Sequence, residues 1–180
     1  VFSEPVAGLI LGAVVRLFIF ALQIAGSMAA QATSLAQIFG GANADPQPAI
    51  GHVFLVSGLA LAVMLGLHVR LAEMFILSYD VIPPGEFLSG SVVSDWALQH
   101  VSRIFALAFT LAAPFLIASL IYNVALGVIN RAMPQLMVAF VGAPAITAGG
   151  LLLLFVTTPL LLPLWVNALQ AFLNQPFGAP

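Results

Sequence analysis

Apolar residues fill long arms of this chain, and polar residues gather at a few corners. From Ile104 to Asn130 no residue is charged, and from Ala132 to Pro180 none is either, so Arg131 is the single formal charge between two arms. A helix of about 20 apolar residues crosses the hydrocarbon of a bilayer, and each arm exceeds that length. Pro134 cannot continue a helix from Met133, because it lacks an N–H and disfavours helical geometry one residue earlier. With Gly127 and Asn130 before it, the stretch Arg131-Ala132-Met133-Pro134-Gln135 predicts a helix end, a turn and a new start. The pattern is that of a membrane hairpin.

Two further spans are predicted upstream. The first runs from Val6 to about Gln31, with Ser3 as cap, Pro5 in the first turn, and only Arg16 and Gln23 interrupting the apolar run. Gly8 and Gly12 form a Gly-xxx-Gly pair, a spacing that lets helix backbones approach in lipid. The second span covers His52 to about Tyr79. Between them, Thr33 to Gly51 holds Gly40, Gly41, Asn43, Asp45, Pro46 and Pro48, a loop composition. A second loop, Asp80 to Trp96, carries Pro83-Pro84-Gly85, and Ser94 or Asp95 can cap the third span. Pro114 lies inside that span, and the fourth is interrupted at Gly142-Ala143-Pro144 and distorted by Pro159 and Pro163. The fold expected is an all-α membrane protein of about four long, kinked apolar helices, broken at Pro114 and Pro144, with a C-terminal helical hairpin. Arg131, opposite an acidic side, votes for a cytoplasmic hairpin corner with the Pro83-Pro84 loop on the other side, and Arg103 pulls weakly the opposite way, so charge alone does not fix the orientation.

Composition narrows the classes. The chain is 62% hydrophobic and 6% charged, with a mean hydropathy of +1.16, whereas roughly a quarter of a soluble domain is charged. It has no lysine, and its arginines are Arg16, Arg70, Arg103 and Arg131. No basic face for nucleic acid follows from these. The absence of cysteine excludes disulfides and thiolate chemistry.

Candidate chemistry is sparse. Arg16 sits mid-span, where a charge is costly and often functional; the favoured reading is that it bonds carbonyls inside a subunit interface. Arg70 and Glu73 share a helix face and are read as a structural pair rather than as an ion relay with His68. His52, His68 and His100 lack the spacing of a metal motif. No Gly-x-Ser-x-Gly elbow accompanies them, and neither Gly40-Gly41 nor Gly149-Gly150 is a phosphate loop. No enzyme activity, cofactor or metal is expected. A small-solute permease and a lipid-modifying enzyme using the histidines are the competing classes.

Several stretches together resemble a known family: Gly8-xxx-Gly12-xxx-Arg16, Asp45-Pro46, Gly66 to His68, Ile82-Pro83-Pro84-Gly85, Ala113-Pro114, Asn130-Arg131-Ala132-Met133-Pro134-Gln135, and Gly142-Ala143-Pro144. The chain is similar over nearly its whole length to the flagellar biosynthesis FliR family and its counterparts in virulence type III secretion. The resemblance implies a single export-gate membrane domain over 1-180, preceded in the family by further sequence. It divides into FliP-like helices with a plug loop (1-102) and a FliQ-like hairpin (103-173). Implied partners are FliP-like and FliQ-like subunits, the FlhB-like switch protein and unfolded export substrates, in the bacterial inner membrane at the flagellar basal body. The implied plug runs from Gln31 to Pro48, with Gln31, Leu35, Ile38, Phe39, Gly40, Gly41, Asp45 and Pro46 as its candidates. Gly8, Gly12, Arg16, Arg70, Glu73, Pro114, Asn130, Arg131, Pro134, Gln135 and Pro144 are the expected interface and structural positions.

Overall fold

The computed structural model describes residues 3–34, 49–81, 83, 89–133 and 138–177. They form five helices and no strand: α1 (Ser3–Ser34), α2 (Ala49–Met64), α3 (Leu67–Val81), α4 (Gly90–Ala132) and α5 (Val138–Asn174). Among the described residues, three helices are long and apolar enough to cross a membrane. A fourth span results if the bent pair of α2 and α3 counts as one.

α1 is the axis of the bundle. Its buried positions are Leu11, Val14, Phe18, Ala21, Leu22, Ala25, Ala29 and Ala32, a three-and-four spacing that makes one continuous stripe. Small residues dominate the later half of the stripe, so neighbouring backbones come close there. A Cβ placed on Gly26 would fall inside the envelope of the Gly51 Cα, and one on Gly58 would meet the Leu22 side chain. These two contacts occur in opposite order along α1 and α2, which are therefore antiparallel. Likewise Phe18 meets Phe172 and Thr33 meets Gly150, so α5 is antiparallel to α1. α4 buries His100, Ile104, Ala108, Leu111, Ala112, Phe115 and Ser119, again a stripe, and Phe115 packs edge-on against Phe54 with ring centroids 6.0 Å apart.

Breaks fall where backbone chemistry requires them, and not all are where prolines stand. α4 ends at Ala132, and Met133 donates its N–H to the Ile129 carbonyl before Pro134. The helix runs through Pro114, and α5 runs through Pro144, Pro159 and Pro163. The breaks expected at Pro114 and Pro144 are not interruptions of helix. A proline removes one ladder bond, and a transmembrane helix tolerates that loss when its neighbours hold the flanking turns. The interruption is instead at Leu65-Gly66, where α2 and α3 meet at 69°. Gly66 has φ +81°, a left-handed conformation that glycine adopts without strain. Its N–H bonds the Val63 carbonyl and its carbonyl accepts from Val69 and Arg70, closing one helix and opening the next. The start of α4 also differs from expectation. It begins at Gly90 after Ser89, while Ser94 lies inside the helix and donates to the Ser91 carbonyl.

The helices are of unequal reach. At about 1.5 Å per residue, the 43 residues of α4 extend about 65 Å and the 37 of α5 about 55 Å, well beyond the roughly 30 Å of bilayer hydrocarbon. α1 ends at Ser34, level with Ser119 and Gly150, which border one cavity with Thr33. Beyond that level residues 120–132 of α4 continue for about 20 Å. Leu120, Ile121, Val124 and Val128 are exposed on this projection.

Candidate functional site

One hydrogen bond ties the hairpin to α1, and two more tie its arms to each other. Mid-bundle, Trp165 is 0% exposed, and its indole N–H donates to the Phe18 carbonyl over 2.7 Å. An indole N–H inside an apolar bundle must find an acceptor, and a carbonyl of α1 is within reach. At the open end of the hairpin, Trp96 donates to the Pro176 carbonyl over 2.9 Å. There Trp96, His100 and Phe172 form one aromatic group, with His100 centroids 4.4 Å from Trp96 and 5.2 Å from Phe172. Toward the tip, the Tyr122 hydroxyl donates to the Gly142 carbonyl over 2.5 Å. A side chain at Gly142 would press on Tyr122 and Leu126, so the missing Cβ permits the contact.

The charged candidates lie on the outside. Arg16 is exposed on α1, its guanidinium 5.2 Å from the Phe20 ring centroid, rather than bonded to carbonyls within the chain. Arg70 and Glu73 do pair, at 3.7 Å with side chains 49% and 54% exposed, and Arg70 also donates to the Asn174 side-chain oxygen over 3.1 Å. This links α3 to the end of α5. A pair so exposed contributes at most about 1 kcal/mol; its effect is positional. Asn130 and Arg131 are exposed at the end of α4, and Pro144 is exposed on α5.

Of the remaining expected positions, Gln31 is exposed in the last turn of α1. Leu35, Ile38, Phe39, Gly40, Gly41, Asp45, Pro46, Pro134 and Gln135 lie outside the described residues. A Cβ at Gly8 or Gly12 would meet nothing within 4 Å in this chain. The close approach is made by Gly26 and Gly51 instead.

The histidines are apart. His52 and His68 are exposed on different helices, and His100 is buried with Nδ1 2.9 Å from the Trp96 carbonyl. We expect His52→Gln and His68→Gln to leave the amount of folded protein in the membrane within about twofold of wild type, because exposed substitutions of this kind act by less than about 0.5 kcal/mol. His100→Gln loses ring packing and destabilises by about 1 kcal/mol. Protein levels and thermal unfolding in membranes check both; a His68→Gln protein that fails to fold would contradict the assignment.

Trp165 and Trp96 were not singled out in the sequence, although the signal was there. They are the only two tryptophans, Trp165 inside the apolar fourth span and Trp96 at the polar start of the third, and an indole N–H demands a partner wherever it is buried.

This arrangement defines a class: a polytopic helical membrane protein with a long C-terminal hairpin and, among the described residues, its charged groups turned outward. The family described as "Bacterial export proteins, family 1" matches residues 1–172. The chain belongs to that family, the one that includes the flagellar biosynthetic protein FliR. It is 29% identical to the FliR of Caulobacter vibrioides over 97% of this chain and 70% of that protein. The figures for Aquifex aeolicus FliR are 30%, 94% and 66%, and for Bacillus subtilis FliR 27%, 86% and 62%. The chain thus spans about two thirds of the length of these relatives. It is a membrane protein of flagellum biogenesis and protein export.

Proposed function

We propose that the chain forms the core of a non-enzymatic subunit of the flagellar type III export gate in the bacterial inner membrane. In this reading it co-assembles with FliP-like and FliQ-like subunits, adjoins an FlhB-like switch protein, and passes unfolded flagellar proteins. Residues 1-102 supply the FliP-like helices and 103-173 the FliQ-like hairpin, with the Arg131 corner toward the cytoplasm. One observation carries the proposal: α4 is uncharged from Ile104 to Asn130 and α5 throughout, and the two helices run well beyond the roughly 30 Å of bilayer hydrocarbon. Exposed apolar surface beyond the hydrocarbon is unstable in water unless other protein covers it. Relatives named as flagellar biosynthetic proteins support the export setting. A permease requires polar groups from several spans converging near the midplane, whereas Arg16, Gln23, Arg70 and Glu73 are all exposed.

The glycine- and proline-rich stretch from Gln31 to Pro48 is, in the same proposal, the plug of the closed pore. Its apolar residues Leu35, Ile38 and Phe39 would exclude water there. The test is purification of the full-length protein from its own membranes, followed by conductance measurement in planar bilayers. Recovery with FliP-like and FliQ-like proteins is expected, together with a leak when residues 35–41 are deleted. Recovery alone would overturn the gate; an intact complex that stays tight after the deletion would overturn the plug.

A further inference from the structure

Between Val6 and Ala30, three polar side chains interrupt the apolar run of α1: Arg16, Gln23 and Ser27. Arg16 stands two residues from buried Val14 on one side and from buried Phe18 on the other, and Gln23 two residues from buried Ala21 and Ala25. Two residues turn a helix by about 200°, so Arg16 and Gln23 point away from the bundle, and both are exposed. Gln23 follows Arg16 by seven residues and Ser27 follows Gln23 by four, spacings that keep all three on one outer face.

This face is chemically unfinished. A guanidinium carries five donors. The contact Arg16 makes in this chain is with the ring of Phe20, 5.2 Å from its centroid, and that contact uses none of them. Among the described residues no carboxylate pairs with Arg16; the ion pair there joins Arg70 to Glu73. One turn before Arg16 the surface is low. Gly8, Gly12 and Arg16 succeed one another at four-residue steps, which is one ridge of the helix surface. A Cβ on either glycine would meet nothing within 4 Å, so the bare backbone of this ridge is not used inside the chain. Hydrocarbon leaves the donors of Arg16 and Gln23 unpaired. Water satisfies them but makes no use of two bare glycines at the spacing that lets helices approach closely. A protein helix uses both.

Charge selects which helix. A second copy of this face would set Arg16 beside Arg16, a repulsive pairing. We infer that the outer face of α1 docks one helix of another chain, seated on Gly8 and Gly12 and carrying an aspartate or glutamate that pairs with Arg16. Arg16 lies about 6 Å along the axis from Gly12, so the acid sits about one turn from the point of closest approach. Arg16 holds it by charge-assisted hydrogen bonds, and Gln23 offers a further polar contact two turns on. The inference rests on the geometry of α1 and on no placement in the bilayer; the export-gate reading enters only in the name of the partner.

The test uses the full-length protein in its native membranes, with a photo-reactive amino acid in place of Ala13, which is exposed one turn before Arg16. Adducts are sequenced by peptide mass spectrometry. One other protein is expected, attached on a helix within about two turns of an aspartate or glutamate. Arg16→Gln should lower the adduct at least about tenfold, because truncating one member of a desolvated charge pair speeds dissociation, while Arg16→Lys keeps most of it. Gly12→Leu should lower it as far by filling the seat, with the chain still folded, since that position faces open space. Arg16→Glu combined with arginine at the partner's acid should restore the adduct that either change alone removes. A FliP-like or FliQ-like partner supports the export gate as well; a different acid-bearing helix supports the docking face and contradicts the gate. Adducts unchanged in Arg16→Gln overturn the inference, as do adducts only to lipid, to a second copy or to this chain itself, or none. Gln23→Cys separates a docked helix from a water-filled path: its thiol should resist a charged water-soluble reagent in the assembled protein and react once the partner is deleted. Ready reaction in the assembled protein also overturns the docking.

Discussion

Trp165→Ala will remove most of the stably folded protein from the membrane. The indole is fully buried, and its N–H bonds the Phe18 carbonyl of α1. In lipid the transfer part of the loss is small, because released apolar surface does not meet water. What remains is the cavity and the lost contacts, about 3 kcal/mol for a large aromatic truncated to alanine. A membrane bundle of ordinary stability keeps little margin after that. Trp165→Phe separates the two parts: it retains ring packing and loses only the hydrogen bond, about 1 kcal/mol. Thermal unfolding of the full-length protein in nanodiscs should rank wild type above Trp165→Phe and Trp165→Phe well above Trp165→Ala. Equal midpoints for wild type and Trp165→Ala would mean that α5 does not dock on α1 as described.

Gly26→Ala is the second large effect, and it is paired with a change that should do nothing. The obstacle at Gly26 is the Gly51 backbone, which has no rotamer to turn aside, so α1 and α2 must separate. Overpacking of this kind costs about 1–3 kcal/mol, at the upper end when backbone is struck. Gly12→Ala meets open space and exchanges a poor helix former for the best, so folding of the chain is unchanged or gains up to about 1 kcal/mol. Protease resistance of the two variants in membranes decides it. A sensitive Gly12→Ala and a resistant Gly26→Ala would reverse the packing assigned to α1.

That pair also shows what sequence carries and what it omits. The Gly8-Gly12 spacing is visible from one helix, but which glycine faces a neighbour depends on where the other helix lies. Gly51 sits at the edge of a loop-like stretch and gave no sign of its partner. The hairpin was legible because two uncharged arms flank Arg131 and Pro134, and helix ends there follow from proline chemistry alone. The bend at Gly66 was not, since it lies in the unbroken apolar run Ala62-Val63-Met64-Leu65-Gly66-Leu67 with no polar residue to mark it. Prolines misled in the opposite direction. Pro114 and Pro144 each remove one bond, and tertiary packing around Phe115 and the Tyr122–Gly142 contact holds the helix through them. For the site, the outward pairing of Arg70 with Glu73 follows from a three-residue spacing. The bond to Asn174 could not, because it spans 104 positions.

The claim at the centre of the account is that other export subunits cover the apolar projection of the hairpin. Photo-crosslinking from single positions on it, Val124 and Val128, in the full-length protein within growing cells tests this most directly. The account predicts protein adducts at both positions, containing FliQ-like or FliP-like subunits and lost when those subunits are deleted. Crosslinks only to lipid at both positions, in cells that assemble flagella, would contradict it.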